Sequence, residues 1–460
     1  MAGLASVRVL SDHFEQVTLV ERDPLADSPL PRKGVPQAHH VHGLLKRGEQ
    51  LFGGLFPDLI PALVAGGATP LEFGKDVHWN HFGEPLAAIP GGGIPALSFS
   101  RAFFEAEVRR RTLALANVKL LDGHEALSFA TNPERTRVTG AVLRRVGGAD
   151  QWTAPADLVV DTCGRGSQTP RWLQAIGRPP VAESILKVDL CYGSKLFKRP
   201  PDGVHPWKAI MVASRKRRMG IVVPVEGGRW LASLTGLLGD HPPTDEKAWL
   251  AFAREMESTE LHDALVQATP LSEVMTHKFP FHQRRHYEKM KDFPDGLMVL
   301  GDSHCSFSPV YGQGMTTAVI GATLLGEEVA RARQQGGAAE GTSRRFQRRL
   351  AESSNDPWAM STGEDLRFPE VEGTRPFGNS VLLWYTARML NVAAEDPEVA
   401  LCFYRVMNLL DPLPTLMRPK MVLRVLRGRR EERRQLPLAG LTESSRSPVA
   451  GAPTRTGTGS

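Results

Sequence analysis

One stretch of this chain, Leu297-Met-Val-Leu-Gly301-Asp302-Ser-His-Cys-Ser-Phe-Ser-Pro309-Val-Tyr311-Gly312-Gln313-Gly314-Met315, limits its fold more than any other. A short apolar run ending in Gly-Asp reads as a buried strand of a parallel sheet, with the carboxylate at the sheet's carboxyl edge, where open α/β sheets bind ligands. Pro309 stiffens the loop that follows, and the glycines at 312 and 314 let the backbone pass close to a flat ligand. The next helix then points its unpaired N–H groups and positive dipole end at that ligand. Taken alone, these residues equally describe a strand-turn-helix with ordinary turn glycines.

Two other segments carry related patterns. Val17-Thr-Leu-Val-Glu21 is an apolar, β-branched run ending in a carboxylate and preceded by a short amphipathic helix over residues 4–14. Together they read as the second half of a βαβ nucleotide unit. Asp157-Leu-Val-Val-Asp161-Thr-Cys-Gly164-Arg165-Gly166-Ser167 is again a buried strand, an aspartate and a glycine-rich turn. Between residues 183 and 280 the pattern changes, with Lys187 to Leu196, Ile210 to Ala213, Gly220 to Val225 and Trp230 to Thr235 alternating as antiparallel strands around one helix near Glu246 to Glu257. The predicted class is therefore α/β, a Rossmann-like nucleotide-binding domain interrupted by an antiparallel sheet. The expected units are 1–182 and 281–342 for the nucleotide domain, 183–280 for a substrate domain, 343–436 for a helical region and 437–460 for a Ser/Thr/Gly/Pro-rich disordered tail.

Composition removes several classes. At 460 residues the chain can bury a large core, and its four cysteines contain no C-x-x-C pair, which excludes a disulfide scaffold and a structural zinc module. That usage fits a reducing cytoplasm, and Met1-Ala2-Gly3-Leu4-Ala5 does not begin a signal peptide. No apolar run is long enough to span a membrane. The net charge of +6 comes from 56 Lys+Arg against 50 Asp+Glu in scattered clusters, so we expect solvated helix faces and no nucleic-acid partner.

In order along the chain, Glu21, Arg32-Lys33-Gly-Val-Pro-Gln37, Ser100-Arg101, Asp161-Thr-Cys-Gly164-Arg165-Gly-Ser and Gly-Asp302…Pro309…Gly312-Gln313-Gly314-Met315 resemble the FAD-dependent monooxygenases built like para-hydroxybenzoate hydroxylase. Within them the chain looks most like the actinobacterial olefin epoxidases of polyether polyketide biosynthesis, with squalene epoxidase a more distant relative. The resemblance implies that Glu21, followed by Arg22, meets the adenosine ribose, and that Arg32, Lys33 and Gln37 help hold the flavin. Arg101 would contact the phosphate or ribityl region and Asp302 the pyrophosphate and ribityl segment. The backbone of Gly312 to Met315 would face the isoalloxazine ring, whose reduced form carries negative charge suited to a helix N-terminus. Asp161, Gly164 and Arg165 would serve FAD and the reduced nicotinamide, NADPH or NADH, together. A lipophilic substrate, free or carrier-bound, would lie beside Phe281, Phe307 and Tyr311. The flavin carries the chemistry, so no catalytic side chain and no metal are expected.

The chain departs from the family pattern in three places. His39 stands where relatives carry Arg in Pro-Gln-Gly/Ala-Arg-His-x-His, and Ser308 stands where they often carry Asn before Pro-Val-Tyr-Gly. An imidazole mostly neutral at pH 7 replaces a fixed positive fork at residue 39, so an anion contact there weakens. The third departure is at the start. Met1-Ala2-Gly3-Leu4 matches only the last four positions of the family's Gly-Gly-Gly-Met-Ala-Gly-Leu, with Gly3 as the third glycine that permits close helix–sheet packing. We expect a coding start placed at an internal Met, with the first strand and two glycines encoded upstream. The alternative is an FAD-poor, non-catalytic remnant.

Other features read more plainly. His39, His40 and His42 have no carboxylate or Cys at metal spacing, and Cys305 has no neighbouring Cys to resolve it. Trp207-Lys-Ala-Ile lacks the second Trp and the Pro of the flavin-halogenase W-x-W-x-I-P stretch. Leu416 to Arg430 mixes apolar and basic residues; core packing of a helix is the favoured reading, and weak membrane-surface association the other. The expected activity is transfer of one oxygen atom of O₂ to a lipophilic natural-product intermediate, foremost epoxidation of a polyketide olefin. Aromatic hydroxylation and flavin-dependent isoprenoid reduction are the alternatives.

Overall fold

The computed structural model describes residues 1–25, 31–32, 34–336 and 340–428; Lys33 and the expected tail at 437–460 lie outside these. Among the described residues, the first part of the chain forms α1 (Ala2–Ser11), β1 (Val17–Glu21), α2 (Lys46–Leu55), α3 (Leu59–Ala65), β2 (Thr69–Phe73), β3 (Val77–His81), β4 (Glu84–Pro85), β5 (Ile94–Ser98) and α4 (Arg101–Leu113). Then come β6 (Val118–Asp122), β7 (His124–Thr131), β8 (Val138–Arg145), β9 (Gln151–Pro155), β10 (Val159–Asp161) and α5 (Thr169–Ala175). The middle holds β11 (Glu183–Lys198), β12 (Ala209–Ala213), β13 (Arg218–Val225), β14 (Arg229–Gly236), α6 (Glu246–Arg254), α7 (Glu260–Gln267), β15 (Met275–Arg285), β16 (Leu297–Val299) and β17 (Cys305–Ser306). Helices α8 (Gly314–Gln334), α9 (Thr342–Ser353), α10 (Asn355–Asp365), α11 (Asn379–Ala393), α12 (Pro397–Met407) and α13 (Pro419–Arg427) complete the fold.

The parallel layer consists of two pairs. β1 runs beside β6 with Glu21 opposite Asp122, and β10 runs beside β16 with Asp161 opposite Val299. No ladder joins β1 to β10 among the described residues. Helix α1 lies close to both, because a Cβ at Gly3 would stand 3.0 Å from Thr162 Oγ1, just past β10, and 3.7 Å from Leu19 Cδ1 on β1. The buried face of α1, Leu4, Ala5, Val7, Val9 and Leu10, joins Val319, Ala322 and Leu325 of α8 in one core.

The second layer is a ten-stranded sheet in the order β17-β15-β11-β14-β13-β12-β3-β2-β5, with β4 on β3. It is wider than the expected 183–280 unit at both ends. β2 to β5 join it from residues 69–98 through a parallel β12–β3 pairing, Ala209 opposite Val77, and β15 continues past 280 to Arg285. Parallel partners must be distant in sequence, so no local turn signal announces such a contact. A separate three-stranded sheet is ordered β7-β8-β9.

Helix α4 carries two of the charged groups that matter below. The Ser100 side chain accepts from Phe103 N at 3.2 Å, an N-cap, and its own hydroxyl donates to Glu226 at 2.7 Å, joining the helix start to the turn after β13. Phe104 is fully buried, edge-on to Phe52 at 5.1 Å and stacked on Phe99 at 4.9 Å. Phe104→Ala is therefore expected to lower the unfolding free energy by about 3–5 kcal/mol, read from denaturant unfolding.

Candidate functional site

The pairing of β10 with β16 sets the two Asp-Gly turns side by side. The Asp161 carboxylate is buried and accepts from Cys163 N at 2.8 Å, Thr169 Oγ1 at 2.6 Å, Ser303 Oγ at 3.1 Å and the Ser167 hydroxyl. It holds its own turn closed and ties it to the residue after Asp302. Ser303 Oγ in turn accepts from Gly164 N at 2.8 Å. Asp161 is thus saturated by protein donors, and Gly164 and Arg165 are the parts of that motif left facing outward.

Asp302 is the opposite case. Its side chain is solvent-accessible within a concavity, and the described residues give its carboxylate no hydrogen bond or ion pair. Crowding by the surrounding protein raises its carboxyl above the ordinary range, against the pull of Arg165, the Met1 amine and Arg101. Arg101 is buried and pairs with Glu105 one turn later at 2.7 Å. Arg165 lies over two rings, 4.4 Å from the Phe279 centroid and 4.9 Å from Phe281, and donates to Phe281 O at 3.3 Å.

The loop from Pro309 to Met315 leads into α8, which packs against the Gly301–Ser303 turn. Gly312 takes a left-handed conformation, φ 64°, and its backbone meets Gly43, where a Cβ would stand 3.6 Å from the Gly43 Cα. A Cβ at Gly314, Gly164 or Gly166 would meet nothing within 4 Å, so two backbone segments border open space. Gln313 is fully buried; its Oε1 accepts from Ser361 Oγ at 2.9 Å while Nε2 has no partner. Met315 is buried in the core beneath.

At the other end, Glu21 is already engaged. Arg32 reaches Glu21 at 3.0 Å, Asp23 at 3.1 Å and Glu105 at 2.8 Å, so in this structure it bridges the acids near the end of β1. Burial alone would raise the Glu105 carboxyl, but Arg101, the Met1 amine and Arg32 hold it at about 2. Gln37 sits in the one-turn helix Pro36–His39, and Arg22 is exposed, 3.8 Å from Glu125.

The three expected pocket aromatics have different neighbours. Phe281 is covered by Arg165, and Phe307 is buried beside the second sheet's edge strand β17. Tyr311 donates its hydroxyl to Asp365 Oδ1 at 2.8 Å. A cavity of about 250 Å³ lies between the 31–40 loop and the start of β15, lined by Arg32, Pro36, His39, His40, Met275 and Thr276 among others.

Two buried networks join residues that the sequence reading does not connect. In the first, Ser308 N donates to His282 Nδ1 at 3.2 Å, which leaves Nε2–H to donate to Asp365 Oδ2 at 2.7 Å. With the Tyr311 hydroxyl on its second oxygen, Asp365 pins α10 to the Pro309 loop. In the second, His40 Nδ1 lies 2.7 Å from Ser194 Oγ, which touches the Ser233 hydroxyl, and Ser233 accepts from Val41 N at 3.1 Å. Burial pushes the His40 imidazole down to about 3 and His304 also to about 3, so both are neutral. Among the described residues His304 has no partner on either ring nitrogen. The sequence names His40 and Tyr311 singly and places Ser194 and Ser233 in predicted strands, but nothing local joins them to their partners. Burial pushes the Cys305 thiol up, which suits a packed residue and not a nucleophile.

With the site in place, comparison with known proteins locates the chain. It is 33% identical over 438 residues to protein Rv3254 of Mycobacterium tuberculosis, a match covering 90% of this chain and 88% of that protein. The chain belongs to the family of Rv3254. No protein-family model matches it. Among solved structures, the flavin-dependent brominase Bmp2 superposes with a TM-score of 0.62 at 14% identity, covering 88% of this chain and 90% of that one. PqsL of Pseudomonas aeruginosa, described as a probable FAD-dependent monooxygenase, superposes with a TM-score of 0.52 at 16% identity, covering 86% and 94%. The Rv3254-family chain thus shares its fold with these two proteins and has a helical C-terminal region.

The networks make two expectations testable. Glu105 has its carboxyl depressed in the fold, so the stability it contributes is full above about pH 4.3 and is lost as pH falls toward 2; Glu105→Gln should remove on the order of 3 kcal/mol at pH 7 and flatten that acid limb. Unfolding free energies measured from pH 7 to pH 2.5 in both proteins check this. Asp365→Asn leaves the His282 or Tyr311 donor facing an amide N–H, and is expected to cost about 1–3 kcal/mol by chemical denaturation.

Proposed function

We propose that this chain is an FAD-dependent monooxygenase that uses NADPH or NADH and O₂ to oxidise a lipophilic natural-product intermediate, foremost by epoxidising a polyketide olefin. The observation that carries the reading is the Asp302 concavity, a partnerless carboxylate facing Arg101 and Arg165 and bordered by open glycine backbone. The fold shared with a flavin-dependent brominase and a probable FAD-dependent monooxygenase supports it. The residues present suit FAD. Asp302 would accept from ribityl hydroxyls, Arg101 would pair with phosphate, and the open backbone at Gly164, Gly166 and Gly314 admits a ligand at contact distance.

Bound FAD would supply the redox chemistry: two electrons from the nicotinamide, one oxygen atom of O₂ into the substrate and the other released as water. The chain's own residues would position and exclude. The N–H groups of Gly314 and Met315, at the start of the 21-residue helix α8, would stabilise negative charge on the ring system. Arg165, held over Phe279 and Phe281, would set the wall on which the nicotinamide or the substrate rests. The buried His282 and His304 would keep water from the loop behind the ring.

One observation favours a second reading, an FAD-poor binding protein. Glu21, the acid expected to hold the ribose, already carries an ion pair with Arg32.

Flavin uptake separates the two. The purified full chain is expected to bind FAD, seen as flavin absorbance and quenched flavin fluorescence, and Asp302→Ala is expected to weaken that binding about 10–100-fold. Consumption of O₂ and NADPH coupled to epoxide formation on a polyene would follow. A folded chain that takes up no flavin overturns the enzyme reading.

A further inference from the structure

The cavity between the 31–40 loop and the start of β15 is lined by a buried side chain with a polar atom that the fold leaves unused. His40 lines it, is 2% exposed, and stands edge-on to Tyr192 with ring centroids 4.2 Å apart. Its Nδ1 lies 2.7 Å from Ser194 Oγ, and among the described residues its Nε2 meets no hydrogen-bond partner. Of the residues expected to bind the cofactor, only Arg32 lines this cavity; Asp302, Arg101 and Arg165 do not.

The hydroxyls behind His40 fix its tautomer. β11 and β14 run antiparallel with Ser194 opposite Ser233, so both side chains share one face of the sheet. Val41 N donates to Ser233 Oγ at 3.1 Å. If Ser233 O–H donates to Ser194 Oγ and Ser194 O–H to His40 Nδ1, each hydroxyl hydrogen has an acceptor. In the opposite direction Nδ1–H donates to Ser194 and Ser194 to Ser233, and the Ser233 hydrogen finds no acceptor among the described residues. The first arrangement satisfies more donors and puts the imidazole proton on Nε2. Burial, and then His277, His42 and His39, push the imidazole down to about 3, so it is uncharged. His40 is thus a neutral donor, held from behind by Ser194, with Nε2–H left for a ligand.

Charge and size select that ligand. Among the described residues, Arg32 is the only fixed charge in the lining, and it is already paired with Glu21, Asp23 and Glu105. Arg101 and Arg109 also reach Glu105, at 2.7 and 3.9 Å, so in this cluster three bases face three acids. A carboxylate or phosphate in the cavity would find no unopposed cation, and a cation would face Arg32 and an N–H donor. A pure hydrocarbon would bury Nε2–H without an acceptor. A neutral carbonyl oxygen meets Nε2–H, while Pro31, Pro36 and Met275 offer its carbon skeleton an apolar wall. A volume of about 250 Å³ lies below the roughly 300–1,000 Å³ of drug-sized sites, which suits one or two rings or the end of a longer molecule. We propose that this cavity binds the carbonyl end of an uncharged, lipophilic molecule, with His40 Nε2–H as the hydrogen-bond donor. The inference does not rest on flavin binding.

Ligand-observed NMR titration of the purified full chain tests it. The probes are acetonaphthone, isopropenylnaphthalene, which has a methylene in place of the oxygen, and the anion naphthoate. The ketone is expected to bind at least about 5-fold more tightly than either of the others. Met275→Trp alters an exposed lining side chain, so it should unfold at the wild-type temperature while abolishing ketone binding. His40→Phe should lower the ketone's affinity to that of the alkene; Met275→Trp and the alkene comparison decide the matter even where that variant does not fold. The proposal is overturned when the ketone does not bind, or binds no better than the alkene. It is equally overturned by tighter binding of naphthoate, which makes the cavity an anion site of Arg32, and by binding that survives Met275→Trp, which places it elsewhere. Displacement of the ketone by FAD would assign the cavity to the cofactor site and also overturn it.

Discussion

The buried Asp161 carboxylate organises the two glycine-rich turns at the end of the parallel strands. A charge withdrawn from water is tolerated only when its oxygens are satisfied, and here one main-chain and three hydroxyl donors converge on it. Three of those donors, Cys163 N and the hydroxyls of Ser167 and Thr169, come from the turn that follows β10 and the first residue of α5, and the fourth, Ser303, from the turn that follows β16. Satisfying one anion therefore sets the relative position of both glycine-rich turns. Asp302 is left free because its neighbour Ser303 is the residue drawn inward.

A second buried anion does comparable work where the helical region meets the loop. Asp365 receives His282 from β15 and Tyr311 from the Pro309 loop, so the wide sheet, α10 and the loop share one carboxylate. The Ser308 main chain chooses the imidazole tautomer, and that choice makes His282 a donor to Asp365. The region around the concavity is consequently stiff behind its surface and open in front, where glycines at 164, 166 and 314 leave backbone uncovered. That division suits a large planar ligand, whose binding would otherwise require ordering the loop at the moment of contact.

The elements built from short continuous apolar runs were legible from the residues. Val17–Glu21, the strand ending at Asp161, the one beginning at Leu297 and the four antiparallel strands between 183 and 236 all lie where their patterning places them. The strands between residues 69 and 98 were not. Val77-His-Trp-Asn-His81 has no clean alternation, and its parallel partner is more than a hundred residues away. At the site, the sequence singled out Asp161 and Asp302 as a similar pair, yet one is a saturated structural anion and the other an unpaired carboxylate. Arg32 was legible as a charged loop residue, but its three acidic partners, on β1, the following turn and α4, meet only in space.

By itself, the sequence determined the α/β class, the carboxyl edge at which a ligand would sit and the glycines that leave room for it, because each depends on residues close together in the chain. Tertiary structure alone decided which carboxylate is buried and which is free, that His282 and Asp365 brace the loop, and that one side of α13 is core while the other faces solvent. Those outcomes depend on hydrogen bonds and burial between segments far apart in sequence. Residue type announces that such a group needs a partner; only the fold supplies one or leaves it without.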